Sequence, residues 1–206
     1  MIEYGKEEMA YISSKSTVMQ ILVKRYGQLE MGHVTDVYSS LVIHIISQML
    51  SNNVADVLTG RFINLVGEIR PEVISKLAIE DIRQCGISQK KAEYIIELSN
   101  KVHSGEYDFS GIDDLTDDQV ISYLMKIKGV GRWTAEMIAE FTMGRKNIFS
   151  FDDVALQNGI KSAHGFKTLS KTRFERLRKL YSPYCSIASL YYYSYNDDKN
   201  REPINV

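Results

Sequence analysis

The sequence predicts an all-α protein of roughly ten helices with little or no sheet. Apolar residues recur at three- and four-residue spacing along nearly the whole chain, whereas strict alternation of apolar and polar residues is scarce. The breaks between these segments are mostly single glycines, and proline occurs only 3 times. The 206 residues, of which 44% are hydrophobic and 25% charged, suffice for one large domain or two small lobes with a proper core.

The first half of the chain carries clear signals for helix ends. Gly27 is a typical residue after a helix C-terminus, Pro71 suits a first helical position, and Ser88 is an expected N-cap. Residues 36–50 are apolar on most faces, which predicts a central buried helix. The helical segments expected here are TVMQILVKRYG, DVYSSLVIHIISQML, NNVADVLTGRFINLVGEI, PEVISKLA, AIEDIRQCG and SQKKAEYIIELSNKVHSG.

The second half continues the helical pattern. Thr116 is an expected N-cap that is followed by acids in the first turn, where they suit the helix dipole. Gly144 should stop the helix that follows the Gly-Val-Gly turn at 129–131. The expected segments are TDDQVISYLMKI, GRWTAEMIAEFTMG, FDDVALQNGIKSAHG, SKTRFERLRKLYSP and PYCSIASLYYYSYN.

Composition restricts the classes of function. The formal net charge of −1 argues mildly against a nucleic-acid binder, because phosphate contacts need local lysine and arginine. One cluster of cations contains only Glu175 as an acid, so a basic face on a near-neutral protein stays open. The cluster consists of Lys161, Lys167, Lys171, Arg173, Arg176, Arg178 and Lys179.

Metal centres and membranes are not indicated. No apolar run reaches membrane-spanning length, and the charged N-terminus has no apolar h-region, so we expect a cytosolic chain, near the nucleoid in a prokaryote, without a membrane partner. Cys85 and Cys185 cannot build a four-cysteine zinc site or an iron–sulfur cluster. We expect buried thiols rather than a cytosolic disulfide. The 4 histidines lack metal-ligand spacing, and a surface role is expected for His164.

Residues 117–144 suggest a helix, a tight Gly-Val-Gly turn and a second helix. Gly129 and Gly131 can adopt positive φ and let another backbone approach closely. Two consecutive amide N–H groups at the start of the second helix then point outward and form an anion site, for which a DNA phosphate is the natural ligand. Lys128 and Arg132 flank the turn and add positive charge. The alternative is an αα-hairpin in which the glycines only make a tight turn possible.

The stretch LMKIKGVGRWTAEMIAEF resembles the helix–hairpin–helix of the HhH-GPD superfamily of DNA glycosylases. The family pattern is matched at Leu124, Ile127, Gly129, Val130, Gly131, Thr134 and Ala135, while Lys128 stands where the family usually has proline. The resemblance covers about residues 39–195. It implies a single two-lobed helical unit over residues 1–206 with a DNA-binding cleft between the lobes. One lobe would comprise about 1–38 plus 145–206, and the other about 39–144.

The same resemblance implies contacts at the hairpin. Contacts with the DNA backbone fall on Lys128, Gly129, Gly131, Arg132 and Thr134. An alkali ion, Na⁺ or K⁺, would sit on the backbone carbonyls of Met125, Ile127 and Val130. No other cofactor is required.

Two adjacent aspartates follow the hairpin in the segment NIFSFDDVALQNGI. Taken alone, Asp152 and Asp153 suggest an N-cap with a first-turn acid. The resemblance places the catalytic aspartate twenty positions after the residue occupied here by Trp133, which is Asp153. Cleavage of an N-glycosidic bond builds positive charge on the sugar, and a carboxylate can stabilise that charge and orient or deprotonate the attacking water.

Trp133 occupies the position where the bifunctional branch of the family carries a lysine nucleophile, so strand cleavage by that route is disfavoured. An indole can stack on a flipped, cationic alkylated purine, and Gly-Arg-Trp-Thr-Ala resembles the alkylation-repair branch, 3-methyladenine DNA glycosylase II. The alternative is that Trp133 fills the core. The resemblance implies a base pocket of Trp133, Asp152, Tyr193 and Met137.

Two further segments resemble the family more loosely. In LVIHIISQMLSNNVADVLTGRF, Gln48 and Ser51 match the family's early helix pair. The resemblance implies that a residue just after that glutamine wedges into the gap left by the flipped base. Met49 is the candidate, with Leu50 or Asn52 as rivals, and a core methionine is the alternative. Lys91, in CGISQKKAEYI, matches a segment expected to be structural.

The C-terminal segment SPYCSIASLYYYSY is similar to that of the alkylation-repair branch. Pro183, Ser186 and Ala188 match, whereas Tyr184 replaces tryptophan and Cys185 replaces arginine. An aromatic residue closes the base pocket there, and Tyr193 falls nearest. The alternative is an amphipathic surface helix.

The resemblance therefore implies a monomeric, monofunctional glycosylase that removes alkylated purines of the 3-methyladenine type from damaged double-stranded DNA by Asp153-assisted hydrolysis. One alternative is a glycosylase for an oxidised or deaminated base. Another is a non-catalytic hairpin protein that only binds DNA.

Overall fold

A computed structural model describes residues 3–29 and 36–204, and within these ranges it contains helices and turns but no strand, which confirms the all-α class. A short 3₁₀ helix (Ile112–Asp114) precedes α8, and α9 continues as a π-helical turn (Ile138–Thr142). The α-helices are α1 (Lys6–Ser13), α2 (Thr17–Tyr26), α3 (Val37–Ser47), α4 (Asn52–Val66), α5 (Pro71–Ile74), α6 (Ile79–Gln84), α7 (Gln89–His103), α8 (Asp117–Leu124), α9 (Arg132–Met137), α10 (Val154–His164), α11 (Lys171–Tyr181) and α12 (Cys185–Asp197). None of the helices in the described ranges has the length and apolar character needed to cross a bilayer.

The chain divides into two compact units. Unit 1 consists of Met1–Val34 and Ala139–Val206, and unit 2 of Thr35–Ile138. Unit 1 contains α1, α2, α10, α11 and α12, whereas unit 2 contains α3 to α9.

Helix α12 organises the core of unit 1, because α1, α2, α10 and α11 all pack against it. Its tyrosines Tyr191, Tyr192 and Tyr195 are buried, so the alternative of an amphipathic surface helix is wrong. Gly159 permits the close approach of α10: a Cβ at this position would lie 2.3 Å from the carbonyl oxygen of Tyr192. A glycine at this crossing lets the two backbones touch.

A chain of polar contacts runs through this core. The Tyr181 and Tyr192 hydroxyls lie 2.9 Å apart. Tyr181 also contacts Ser16 Oγ at 3.0 Å, and Tyr192 contacts His164 Nε2 at 2.9 Å. Burial, with a contribution from Arg173, lowers the pKa of His164 to about 4, so this ring is neutral at neutral pH. The expected surface role of His164 is therefore wrong, since the half-buried ring is held by Tyr192.

Unit 2 is built around α3 and α7. Helix α3 packs against α4 and α7, and α5 and α6 also pack against α7. Seven residues of α3 are buried, which confirms the predicted central helix. The helix ends earlier than expected, at Ser47, because the chain enters a turn in which Gln48 has ψ 132° and Met49 has φ 58°, and neither value is helical.

The predicted helix ends are found where the local chemistry requires them. Thr116 and Gln119 form a reciprocal capping box at the start of α8, and Pro71 is the first residue of α5. Gly27 ends α2 with φ 63°. Ser88 occupies the N-cap position of α7, although its side chain makes no capping hydrogen bond. Both cysteines are free and buried, as expected.

One ion pair in unit 1 should give the fold a measurable pH dependence. Lys146 Nζ lies 2.7 Å from Glu8 Oε1, and the Gly5 amide donates to Glu8 Oε2 at 2.9 Å. These two hydrogen bonds, that from Lys146 first, lower the pKa of Glu8 from 4.5 to about 2. A carboxyl whose pKa falls on folding stabilises the native state fully above its unfolded pKa and loses that contribution as pH falls through its folded pKa.

We therefore expect Glu8→Gln to lower the melting temperature by roughly 2–4 °C at pH 7 and by much less at pH 2. Thermal unfolding between pH 7 and pH 2 measures this difference. Glu7→Gln, an exposed neighbour on the same helix, is the matched control. An equal effect of Glu8→Gln at both pH values would contradict the assignment.

Candidate functional site

The turn of the hairpin in unit 2 depends on Gly129. Its φ of 86° lies in the left-handed region, and a Cβ there would lie 2.3 Å from Tyr94 Cδ2 on α7. The ring of Tyr94 thus packs directly against the turn. Both the backbone conformation and the contact exclude a side chain at position 129.

Gly131 differs from the expectation that both glycines adopt positive φ. Its φ is −88° and its ψ is 175°, and it serves as the N-cap of α9. No heavy atom lies within 4 Å of the place where its Cβ would be. The conformation of Gly131 does not require glycine. The absence of a side chain there instead leaves the backbone at the start of α9 accessible to a ligand. The amides that begin a helix lack intrahelical acceptors and suit an anion.

The two cations that flank the turn each contact a carboxylate. Lys128 Nζ lies 2.9 Å from Glu97 Oε2 on α7, and Arg132 Nε lies 2.9 Å from Glu136 Oε1 one turn along α9. The contact with Glu97 raises the pKa of Lys128. Lys128 and Arg132 are exposed, so both can still face a phosphate. Thr134 is only 3% exposed, which leaves its backbone rather than its hydroxyl for any DNA contact.

The three residues expected to hold an alkali ion lie where α8 ends and the turn begins. Met125 is the C-cap of α8, and the carbonyl of Ile127 accepts a hydrogen bond from the Val130 amide at 3.0 Å. The carbonyls at a helix C-terminus lack intrahelical donors, and neutral oxygens of this kind suit a weakly held monovalent cation. The described part of the chain contains no group of three or more His, Cys, Asp or Glu side chains that could hold a metal ion.

Trp133 lies on the first turn of α9 and is 39% exposed. This exposure is too high for the alternative in which the indole fills the core. Met137, the last residue of α9, is buried at 4% exposure. The resemblance places both residues in a base pocket. The indole of Trp133 is accessible at the surface, whereas Met137 is part of the core.

Two side chains join the end of α3 to its neighbours in unit 2. Gln48 Nε2 donates to the carbonyl of Gly129 at 2.8 Å. Lys91 Nζ donates to the carbonyls of Ile46 and Gln48 at 2.8 and 2.7 Å, and burial lowers the pKa of this lysine. The residues that match the family pattern thus connect the end of α3 to the hairpin turn and to α7.

Gln48 and Lys91, which we call the clamp, hold the end of α3, and Met49 projects from that segment. It is the only residue other than glycine in the described ranges with positive φ (58°), and its side chain is fully exposed. The alternative of a core methionine is therefore wrong. Leu50 is half-buried and Asn52 begins α4 as an exposed residue. The clamp holds the Met49 backbone in a conformation that β-carbon sterics disfavour, which is the pattern of strain seen at functional positions.

Asp153 lies in unit 1 and is the N-cap of α10. Its Oδ1 accepts the Leu156 amide at 2.8 Å, while the Tyr193 hydroxyl from α12 donates to Oδ2 at 3.2 Å. The residue is 6% exposed. The capping role that the sequence suggests belongs to Asp153 itself, whereas Asp152 is exposed. Capping and a chemical role are compatible, because accepting the Leu156 amide does not use up the charge of a carboxylate.

The segment that leads to Asp153 is fixed to the start of α12. The Ser186 hydroxyl donates to the Arg145 carbonyl at 2.6 Å and accepts the Ile148 amide at 2.9 Å. Gln157 Nε2 donates to the Phe151 carbonyl at 2.6 Å. Ser186, which matches the family pattern, thus serves to hold the loop before the carboxylate.

Part of the cation cluster in unit 1 lines an open groove of about 530 Å³. Lys161, Lys167 and Arg201 contribute charge, Asn158 and Asn196 contribute amides, and no acid lines the groove. Neither lysine forms an ion pair with any residue in the described ranges. Arg178 from the same cluster instead pairs with Glu175 at 2.8 Å.

Sequence reasoning did not identify Tyr94, Glu97 or Gly159 as functional positions. Tyr94 and Glu97 lie three and six positions after Lys91 on α7, so a search for side chains on the face of that matching lysine could have found Tyr94. No local signal marks Gly159, because the residue that it contacts lies on a different helix.

Comparison with known proteins is consistent with these features. The chain is 34% identical to YfjP of Bacillus subtilis over 164 residues, which are 75% of this chain and 57% of that protein, so the chain spans just over half of YfjP. It is 29% identical to the alkylbase DNA glycosidase-like protein mag2 of Schizosaccharomyces pombe over 201 residues, 92% of each chain. A crystal structure of a DNA-3-methyladenine glycosidase from Bacillus halodurans has 32% identity and a TM-score of 0.84, and the match covers 94% of this chain and 90% of that one.

A family model for HhH-GPD superfamily base excision DNA repair proteins matches residues 42–183. This match spans more than half of the 206 residues. It includes the clamp at the end of α3, the hairpin turn and Asp153. The chain belongs to the HhH-GPD superfamily of base excision DNA repair proteins.

Proposed function

We propose that this chain is a monofunctional DNA glycosylase that removes alkylated purines of the 3-methyladenine type from damaged double-stranded DNA. The observation that carries the proposal is the carboxylate of Asp153, which is buried and held through both oxygens at the start of α10. A relative matched over nearly its whole length is named for alkylated bases, and the similar crystal structure for 3-methyladenine.

Asp153 would act on the sugar of the extruded nucleotide. As the bond between C1′ and the base nitrogen breaks, its electron pair leaves with the base and positive charge develops on the sugar ring. A fixed carboxylate stabilises this charge without reorganising. It also accepts the proton of the water whose oxygen bonds to C1′. An alkylated purine is a good substrate because it already carries positive charge and leaves as a neutral base.

The hairpin would hold the DNA backbone. Gly131 leaves the start of α9 open for a phosphate, and exposed Lys128 and Arg132 add charge there. The indole of Trp133, 39% exposed, offers an electron-rich face that attracts a cationic base. The carbonyls of Met125, Ile127 and Val130 would hold Na⁺ or K⁺, which would brace the turn and add positive charge near the phosphate.

Met49 is proposed as the residue that fills the space left by the extruded base. Its exposed apolar side chain can enter an opened base step. Unstacking a base costs a few kcal/mol and is least costly at a damaged pair, which supplies part of the selectivity.

Base release from methylated duplex DNA tests the proposal. We expect the wild-type protein to release 3-methyladenine, detected chromatographically, and to leave abasic strands that break only after alkali treatment. Trp133 provides no amine for a Schiff base, so strand cleavage without alkali would contradict the monofunctional assignment.

Defined lesions separate the remaining alternatives. Release of only an oxidised or deaminated base would exclude alkylated purines as the substrate and favour the related glycosylase. Tight binding of duplex DNA without release of any base would favour a binding protein.

A further inference from the structure

The Tyr193 hydroxyl makes a contact that the need for an aromatic ring does not explain. It donates to Asp153 Oδ2 at 3.2 Å, from a position 40 residues further along the chain. The resemblance to the family requires only a ring at this position, for which phenylalanine or tryptophan would serve. The hydroxyl therefore has a role separate from stacking.

The ring that carries this hydroxyl is fixed by its neighbours in unit 1. Phe141 packs against it with ring centroids 5.9 Å apart. The preceding residue, Tyr192, is buried, and its carbonyl oxygen would lie 2.3 Å from a Cβ at Gly159, so α12 packs closely against α10. The oxygen of Tyr193 thus has a defined position relative to the N-terminus of α10.

Two hydrogen bonds that Asp153 accepts act on different oxygens. The Leu156 amide holds Oδ1 from within α10, and Tyr193 holds Oδ2 from α12. With one oxygen held, a carboxylate can still turn about its Cβ–Cγ bond, whereas the second bond fixes the plane of the group. Water is a poor substitute here, because Asp153 is only 6% exposed.

We infer that Tyr193 is a positioning residue whose hydroxyl fixes the plane of the Asp153 carboxylate for N-glycosidic hydrolysis. The inference rests on the proposed function for its kinetic consequence, and on geometry alone for the hydrogen bond. The ring and the hydroxyl thus have separate roles, and the hydroxyl is the group that orients the carboxylate.

Tyr193→Phe tests the kinetic consequence, because it removes the hydroxyl and keeps the ring. We expect the single-turnover rate of 3-methyladenine release to fall about tenfold, with an affinity for lesion-containing duplex within twofold of the wild type. Tyr191→Phe is the matched control: it removes a hydroxyl from the same helix, one that donates to the Gly27 carbonyl at 2.8 Å. The control should lower stability and leave the rate within twofold. Equal rates for Tyr193→Phe and the wild type would overturn the inference.

A measurement of stability, which does not depend on enzymatic activity, tests the hydrogen bond itself. Asp153→Ser keeps a capping hydroxyl but is too short to reach Tyr193. Tyr193→Phe should lower the urea midpoint when Asp is at position 153 and leave it unchanged when Ser is there. Equal shifts in both backgrounds would overturn the inference whatever the substrate. A further outcome is that the wild type releases no base while the effect of Tyr193→Phe on stability still depends on the residue at position 153. That result would refute the proposed function but support the hydrogen bond between Tyr193 and Asp153.

Discussion

Asp153→Asn should reduce the single-turnover rate of 3-methyladenine release by about 10³-fold. The amide carries no charge to stabilise the developing positive charge on the sugar, and it is a poor proton acceptor. Asparagine caps helices as well as aspartate does, so its oxygen can still accept the Leu156 amide. The fold should therefore survive, and the loss of rate reports on chemistry. Release of labelled base under enzyme excess measures the effect.

Two further measurements make this result specific. The affinity of Asp153→Asn for duplex DNA should equal or exceed that of the wild type, because a negative charge is removed. Asp36→Asn makes the same change at the N-cap of α3, where the side chain accepts the Ser39 amide at 2.9 Å, and should leave the rate intact. A rate for Asp153→Asn within tenfold of the wild type would show that this carboxylate is not the catalytic group.

Gly129→Ala should destabilise the hairpin by about 3 kcal/mol, which combines the left-handed backbone penalty with the clash against Tyr94. Relief of the clash must move the Tyr94 ring out of its packing against the turn or displace the turn itself. We expect the urea midpoint to fall clearly and DNA affinity to fall with it. A Gly129→Ala protein as stable as the wild type would contradict the geometry of the turn.

Gly131→Ala is the informative partner of that variant. With φ −88° and open space around the Cβ position, alanine should lower the free energy of unfolding by no more than about 1 kcal/mol, since glycine is preferred to alanine at an N-cap. A methyl group there would nevertheless stand where a phosphate approaches the first amides of α9, so DNA affinity should fall about tenfold. Calorimetry and fluorescence anisotropy together separate the two effects. Unchanged affinity in a stable Gly131→Ala protein would place the phosphate elsewhere.

Local sequence signals were sufficient for the fold class and most helix ends. Thr116, Pro71 and Gly27 act through their own backbone and nearest neighbours, and such short-range chemistry is readable in sequence. The family match at residues 42–183 confirms the resemblance drawn from the hairpin motif. The early end of α3 was missed, because Met49 carries no local signal for positive φ.

Contacts between distant residues could not be read from the sequence. The position of Asp153 was predicted, but the hydroxyl that holds it comes from α12. Likewise, Lys128 was expected to add charge beside the turn, and only the folded chain shows that Glu97, 31 positions earlier, lies next to it. Tertiary pairing of this kind depends on how helices pack, which periodicity does not specify.

The hydrogen bonds of Gln48 and Lys91 fix the distance between two parts of unit 2, the hairpin turn and the segment that carries Met49. Because these side chains bind the carbonyls of Ile46, Gln48 and Gly129, the spacing between the turn and the backbone of Met49 is set before any duplex arrives. Under the proposed function, a protein that slides along DNA with this fixed distance presents the Met49 side chain to every base step in the same way. The step must then yield to the protein, so intact stacking resists the side chain and weakened stacking at a lesion gives way.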